Sequence, residues 1–153
     1  MSVGARVQFA AVWIAGVASA LGAVSPASAG SPQISYMLQC QGCHLADGSG
    51  APGAVPSLDG MGRFLGVPGG RAYLVRVPGS AQSPLSDGEL AELLNWMLRS
   101  FTPDSIPAHF VPFSTEEVAG VRRPPLIDVD AARADLLRRI QSRDREPGPS
   151  QLP

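Results

Sequence analysis

The chain has 153 residues, with 12 basic and 13 acidic side chains and a formal net charge of -1. This balance excludes a general electrostatic grip on nucleic acid or on an anionic membrane surface. Every basic residue is arginine, so Schiff-base chemistry through lysine and a Walker-type phosphate loop are also excluded. The length, the 17 glycines and the 15 prolines favour one loop-rich domain with an appendage over a long helical bundle.

Residues 1–29 predict a secretory signal peptide. Arg6 supplies a positive charge, an apolar run follows over 7–24, and the sequence from Ala27 to Ala29 forms a small-residue cleavage site. These three features in this order are typical of exported proteins. An uncleaved anchor is the alternative, because the apolar run approaches the length that spans a bilayer. We expect cleavage before Gly30 and a periplasmic protein that has no membrane attachment.

A C-x-x-C-H motif follows at residues 40–44, after a stretch that reads as a short amphipathic helix over 33–39. The motif is typical of c-type haem attachment, in which two thiols add to the haem vinyl groups and the next histidine ligates the iron. A dithiol redox pair would instead follow a strand in a βαβ unit. A zinc site would lack a fourth ligand, since His109 is the one other histidine. A disulfide between the two cysteines would close a strained, tiny loop. The motif therefore predicts one covalent haem c on Cys40 and Cys43, with His44 as the proximal iron ligand.

The residues around this motif resemble the class I mono-haem c-type cytochromes. Tyr36 lies where the family has an aromatic residue on its first helix, and residues 56–60 resemble the family's P-x-L-x-G, twelve residues after the histidine. In that family the proline carbonyl accepts a hydrogen bond from the histidine Nδ1, and the resemblance gives this role to Pro56. It also places Arg63 near a haem propionate, where a guanidinium forms a favourable charge-assisted pair.

Two later segments read as helices that continue the resemblance. The stretch 69–77 predicts a short middle helix, and 85–98 looks like the last helix of the family. Ser86 and Glu89 predict a capping box at its start. Trp96 occupies the position where the last helix crosses the first. One face of this helix is apolar by helical spacing, formed by Leu90, Leu93, Leu94, Met97 and Phe101.

The resemblance covers about 33–101 and implies an all-α cytochrome c fold for a haem domain over 30–101, with three or four short helices around one covalent haem. It implies an electron carrier rather than an enzyme.

The sixth iron ligand is where the sequence departs from the family. The family usually carries a distal methionine in a loop before the last helix, but the corresponding loop, 77–84, has no methionine. Met61, Met97 and His109 remain candidates, and an open iron beneath Ser80 or Gln82 is the fourth alternative. The choice sets the chemistry, because an open iron binds small ligands or reacts with peroxide, whereas a six-coordinate iron favours electron transfer.

Residues 102–145 predict a helical extension, followed by a disordered tail over 146–153. A proline-rich extended segment with apolar anchors leads to a short helix that Ser114 and Glu117 begin, and Asp128 caps a second helix that runs to about Ser142. The apolar stripe of this second helix consists of Leu126, Val129, Ala132, Leu136 and Ile140.

We expect several arginines of the extension to be solvated. Arg133 is expected on the polar face of the second helix, opposite its apolar stripe. The pairs at 122–123 and 138–139 are also expected on solvated faces. The extension is then either an appendage packed on the haem domain or a docking element for another protein.

The sequence as a whole predicts a periplasmic one-electron carrier whose partner is a redox protein, such as a dehydrogenase, a reductase or an oxidase. Two alternatives stay open: a haem-based ligand-binding or peroxidase-like protein with an open distal site, and an electron-transfer subunit docked through the C-terminal helices. Because the chain has no lysine, we expect recognition to depend on shape and apolar contact more than on a ring of charge.

Overall fold

The computed structural model describes residues 30–145, so the predicted signal peptide over 1–29 and the predicted tail over 146–153 lie outside the described residues. Within 30–145 the chain forms helices and no strand, and the one extended pairing is an isolated bridge between Ala51 and Val55. The predicted all-α fold class is thus confirmed. The helices are α1 Pro32–Gln39, α2 Gln41–His44, a 3₁₀ helix Met61–Gly66, α3 Gly70–Arg76, α4 Pro78–Ala81, α5 Asp87–Phe101, a 3₁₀ helix Pro103–Ser105, α6 Thr115–Val121 and α7 Val129–Arg145.

The helix starts follow the capping residues that the sequence indicates. The predicted capping box of α5 is present: the Ser86 hydroxyl accepts a hydrogen bond from the Glu89 backbone N–H at 3.2 Å, and the Glu89 carboxylate accepts one from the Ser86 N–H at 2.7 Å. At the start of α6 only half of the predicted capping box is present: the Ser114 hydroxyl accepts from the Glu117 N–H at 3.2 Å, but the Glu117 carboxylate binds Arg71 instead of the Ser114 N–H. The Asp128 carboxylate accepts from the Ala131 N–H at 2.9 Å at the start of α7. The last helix continues to Arg145, beyond the predicted end near Ser142.

The first and last helices of the predicted haem domain cross at an aromatic cluster. Tyr36 of α1 is 2% exposed, and its ring centroid lies 5.5 Å from that of Trp96 and 4.9 Å from that of Phe101. The core continues through one face of α5, where Leu90, Leu93, Leu94 and Leu98 are buried. Of the predicted apolar face, Phe101 is half-buried and the other four residues, including Met97, are buried; Leu98, outside the predicted face, is also buried.

The extension packs on this core through α6. Asn95 of α5 donates a hydrogen bond to the Phe113 carbonyl at 2.9 Å and accepts one from the Phe113 N–H at 2.8 Å. Arg71 of α3 makes a paired contact with the Glu117 carboxylate, at 2.6 and 2.5 Å, and its guanidinium lies 4.1 Å from the centre of the Phe113 ring. Because Val118 is also fully buried, α6 belongs to the same packed core as α3 and α5.

The second helix of the extension, α7, packs beside the 3₁₀ helix Met61–Gly66. Leu136 and Ile140 are buried in the common core, and Arg63 pairs with Asp144 at 2.6 Å. Among the helices within 30–145, none combines the length and the apolar composition that a bilayer crossing requires.

Arg122 contradicts the expectation of a solvated arginine pair, whereas Arg138 and Arg139 are exposed as expected. Arg122 is 6% exposed, and it donates to the backbone carbonyls of Ala81, Ser83 and Leu85 and to the Asp87 carboxylate at 2.7–3.1 Å. The sequence shows two adjacent arginines before two prolines but not the carbonyls, some forty residues earlier, that one of them meets.

Candidate functional site

The C-x-x-C-H motif lies on the wall of a largely apolar cavity of about 430 Å³, within the size range of small-molecule and cofactor sites. Cys40, Cys43 and His44 line one side of it. The other walls come from the loop at 54–58, the 3₁₀ helix Met61–Gly66, α3, the segment 77–83, α5 and α7. The motif residues thus share one cavity, which the spacing of the motif alone does not establish.

The two cysteines have the properties of attachment points rather than of a redox-active dithiol. Both are free thiols; Cys40 is partly buried and Cys43 is exposed. Burial, and secondarily the nearby Cys43, raise the pKa of Cys40 to about 11. A dithiol oxidoreductase lowers the pKa of its nucleophilic cysteine, so this environment favours the structural use of the thiols.

His44 is presented to the cavity in the form that ligates a metal. Burial lowers its pKa, and the nearby Pro56 carbonyl partly offsets that shift. The imidazole is therefore neutral at neutral pH. The Nδ1 atom is buried and, within the described residues, has no partner at hydrogen-bonding distance and angle. The structure brings Pro56 beside His44, but the predicted hydrogen bond from Nδ1 to its carbonyl stays a prediction.

The motif is held in place by local contacts that leave the cavity free. The Tyr36 hydroxyl donates a hydrogen bond to the Leu45 carbonyl at 2.5 Å and lies 3.3 Å from the His44 carbonyl. Gly50 has a φ of +75°, and a Cβ at this position would collide with the carbonyl oxygens of Val55 and Pro56. Glycine is required there because it alone adopts this conformation without strain and admits the two carbonyls.

The candidates for a sixth iron ligand differ in whether they line the cavity. Met61 and Met97 are 5% and 6% exposed, and both line it. His109 and Gln82 are exposed and are not part of its described wall. The methionine-free segment contributes Ser80 to the wall, so the segment reaches the cavity without bringing a sulfur or an imidazole.

The arginine at the cavity is not the one that the resemblance indicates. Arg63 is exposed, binds Asp144, and does not contribute to the described wall. Arg133 of α7 lines the cavity instead, with its guanidinium carbon 6.0 Å from the centre of the Phe64 ring. The expectation that Arg133 lies on the solvated face was wrong. At 100° per residue, Arg133 lies within the apolar stripe, four residues after Val129 and three before Leu136, and this spacing was the signal that could have found it.

These features fit a covalently bound haem. Two thiols and a neutral imidazole line one apolar cavity. Within residues 30–145, no three side chains of His, Cys, Asp or Glu gather in a group that could hold a metal ion by themselves. The site therefore has the donors for an iron already held in a macrocycle and not those of a zinc centre.

Comparison with known proteins gives two relatives, although no protein-family model matches the chain. Cytochrome c-552 of Thermus thermophilus is 34% identical over 107 residues, which cover 58% of this chain and 82% of the relative. A cytochrome c-552 from a particular strain of the same organism is also 34% identical over 107 residues, with 58% of this chain and 72% of the relative covered. The matched segment of this chain, 58% of its length, is shorter than the 107 aligned residues, so the alignment contains gaps in this chain.

Proposed function

The chain belongs to the class I c-type cytochromes and is an electron-transfer protein with covalent haem c, and we propose that it works in the periplasm as a one-electron carrier. The observation that carries this proposal is the placement of Cys40, Cys43 and His44 on the wall of one apolar cavity. When bound, the haem supplies the Fe(III)/Fe(II) couple. The chain supplies attachment through the two thiols, an axial nitrogen from His44, and the exclusion of water by the apolar wall.

The composition of the cavity wall supports a carrier rather than a proton-transfer enzyme. Its described titratable side chains are Cys40, Cys43, His44, Tyr73 and Arg133, and no carboxylate is among them. Burial raises the pKa of Tyr73, so its hydroxyl stays protonated at neutral pH. Electron transfer needs no acid–base pair at the cofactor, only an edge near the protein surface. The exposure of Cys43 places one attachment point at that surface.

We place the partner on an apolar surface beside the attachment site. This surface, the α1 patch, consists of Ile34, Met37, Leu38 and Leu45, which are 46%, 52%, 73% and 48% exposed. Residues 30–46 contain no Asp, Glu, Arg or Lys, so the patch is also uncharged. Contiguous exposed apolar residues mark interaction sites. The apolar faces of α6 and α7 are buried within the chain, which favours docking of a redox protein at the α1 patch over docking at the extension.

The attachment proposal is tested by mass spectrometry of the denatured protein after expression with a haem-attachment system. We expect the mass of one haem on each chain, an N-terminus at Gly30, and recovery from the periplasmic fraction. Cys40→Ser with Cys43→Ser should abolish the covalent haem, whereas Met37→Ser, at the neighbouring exposed position, should retain it. A folded protein in which the two cysteines form a disulfide and no haem is attached would contradict the proposal.

The docking surface is tested by electron self-exchange between two copies of the holoprotein, measured by NMR line broadening in mixtures of the two oxidation states. Leu38→Asp puts like charges at the approach of two α1 patches, so self-exchange should slow and recover with added salt. Val111→Asp is the matched control, because Val111 is 70% exposed and lies in the extension. Equal self-exchange rates for the two variants would show that the α1 patch is not the contact surface.

A second candidate function is haem-based ligand binding or peroxidase-like chemistry at an open distal site. It is favoured by the segment 77–83, which reaches the cavity through Val77, Pro78, Gly79, Ser80 and Ser83, and none of these is a strong iron ligand. The ferric absorption spectrum separates the two candidates. The near-infrared band of methionine-ligated haem, lost in Met61→Ala or in Met97→Ala, would identify the sixth ligand and contradict an open iron. A high-spin spectrum with rapid CO binding would support the open site.

A further inference from the structure

The C-terminal helix α7 contributes directly to the haem cavity. Val129 and Arg133, one helical turn apart, both lie on its wall, next to Phe64 and Tyr73. The Phe64 and Tyr73 rings are stacked with centroids 5.2 Å apart, and Arg133 lies over Phe64. Leu136, one turn further along α7, is buried in the core and anchors this face. Arg133 therefore lies, half-buried, on the face of α7 that Val129 and Leu136 direct towards the cavity and the core.

The charge of Arg133 lacks a matched carboxylate in the described chain. Arg138, Arg139 and Arg143 on the same helix each pair with Asp135 or Asp144, but within residues 30–145 no ion pair includes Arg133. The charged and titratable groups near it are Tyr73 across the cavity wall and Asp130, which is exposed one turn earlier on α7. A partly buried cation at an apolar wall is unfavourable unless an anion compensates it.

We propose that Arg133 pairs with a haem propionate, and that the C-terminal extension is thereby a working part of the haem site. This inference rests on the attachment of haem c to Cys40 and Cys43. The two propionates are the carboxylates that the haem brings into the protein, and a guanidinium binds a carboxylate through two parallel N–H donors. Arg63, the residue that the family resemblance indicates, is occupied by Asp144 at the surface.

The contact has a measurable consequence for the iron. Reduction removes one positive charge from the haem, and a nearby cation favours that step. The pairing also holds the propionate ionised, which keeps the reduction potential independent of pH near neutrality. Without the guanidinium, the propionate charge is uncompensated and its pKa rises. The potential should then fall, and it should become dependent on pH as the propionate protonates.

The test is spectroelectrochemistry of the holoprotein at several pH values around neutrality. We expect Arg133→Gln to shift the reduction potential downward and to introduce a pH dependence, and Arg133→Lys to restore part of both. Arg138→Gln is the control, because Arg138 lies on the same helix, is exposed, and is absent from the cavity wall. A potential and a pH profile for Arg133→Gln equal to those of the wild type would overturn the proposal.

Haem content separates this inference from the proposed function. If the wild-type protein lacks one covalent haem per chain, the proposed attachment is wrong. If every variant carries one haem, and the potential and pH profile of Arg133→Gln equal those of the wild type, the attachment stands and the proposed role of Arg133 is wrong. If Arg133→Gln fails to fold, the wild-type protein still decides. Nuclear Overhauser contacts between the Arg133 guanidinium and the propionate methylenes in the diamagnetic ferrous protein are expected, and their absence from an assigned spectrum would overturn the proposal.

Discussion

Replacing Arg122 by methionine should destabilise the protein more than replacing any surface arginine or any other arginine of the extension. Methionine preserves much of the aliphatic volume and removes the guanidinium of a residue that is 6% exposed in the intact protein. Three backbone carbonyls and one carboxylate then lose a donor, at positions where the guanidinium now lies 2.7–3.1 Å away. Two of these acceptors, the carbonyls of Ala81 and Ser83, belong to the segment 77–83 that contributes to the wall of the haem cavity.

The expected loss in the free energy of unfolding is about 3–5 kcal/mol, the range for removing one partner of a buried ion pair. Each hydrogen bond to a charged group contributes about 1.5–3 kcal/mol, but contacts of a single side chain are not additive. The Asp87 side chain is 36% exposed, so water replaces part of its contact with Arg122. The value should therefore lie well below the sum over four bonds.

The assay is urea denaturation of the ferric holoprotein followed by far-UV circular dichroism, with haem content checked first. The midpoint should fall while the slope stays constant, because the surface exposed on unfolding is unchanged. Arg122→Lys keeps the charge but not the fork of donors, so it should give an intermediate value. Arg138→Gln, at an exposed pair, should change stability by about 0.5 kcal/mol or less. A loss below about 1 kcal/mol for Arg122→Met would refute the assignment of Arg122 as the residue that holds this segment.

Four further substitutions test other parts of the structure, each in the holoprotein by thermal or urea unfolding. Tyr36→Phe removes one hydroxyl hydrogen bond and keeps the aromatic cluster, so it should cost about 0.5–1.5 kcal/mol and leave the haem content unchanged; loss of haem would contradict a purely local role. Gly50→Ala and Gly53→Ala both place alanine at positive φ, which costs about 1–2 kcal/mol of stability each. A Cβ at Gly50 would also meet two carbonyls, whereas one at Gly53 would meet open space, so Gly50→Ala should lower the free energy of unfolding clearly more. Equal losses for the two variants would exclude the close approach of the Val55 and Pro56 carbonyls to Gly50. Asn95→Ala breaks both hydrogen bonds to Phe113 and should cost about 2–3 kcal/mol, and a neutral result would show that α6 docks without them.

The features that sequence reasoning identified are those encoded within a few residues. A capping box needs two residues three apart, so Ser86 and Glu89 fix the start of α5 whatever the rest of the chain does. The C-x-x-C-H motif likewise specifies its own chemistry through spacing. The apolar periodicity of α5 predicted its buried face because a single helix supplies the whole pattern.

The features that sequence reasoning missed are contacts between residues far apart in the chain. Arg122 meets carbonyls of the segment before α5, and a carbonyl carries no sequence signal. The charge of Arg133 predicts a solvated position, but its angular position on α7 places it at the cavity wall, because a long arginine side chain packs its stem on apolar surface. The place of Arg63 near a haem propionate, which the resemblance implies, stays a prediction. The structure adds a contact that the resemblance does not cover, because α7 of the extension brings Asp144 to Arg63.

The most direct test of the account is a redox titration of the purified protein, combined with the haem-to-chain ratio. A single covalent haem on Cys40 and Cys43 that exchanges electrons at the protein surface predicts one haem per chain and one reversible one-electron wave. Oxidation and reduction should coincide through repeated cycles, with no turnover of peroxide. Two results would contradict the assignment of an electron carrier. One is a chain without covalent haem, and the other is a haem that is destroyed by a redox cycle or whose absorption spectrum does not return to its starting form.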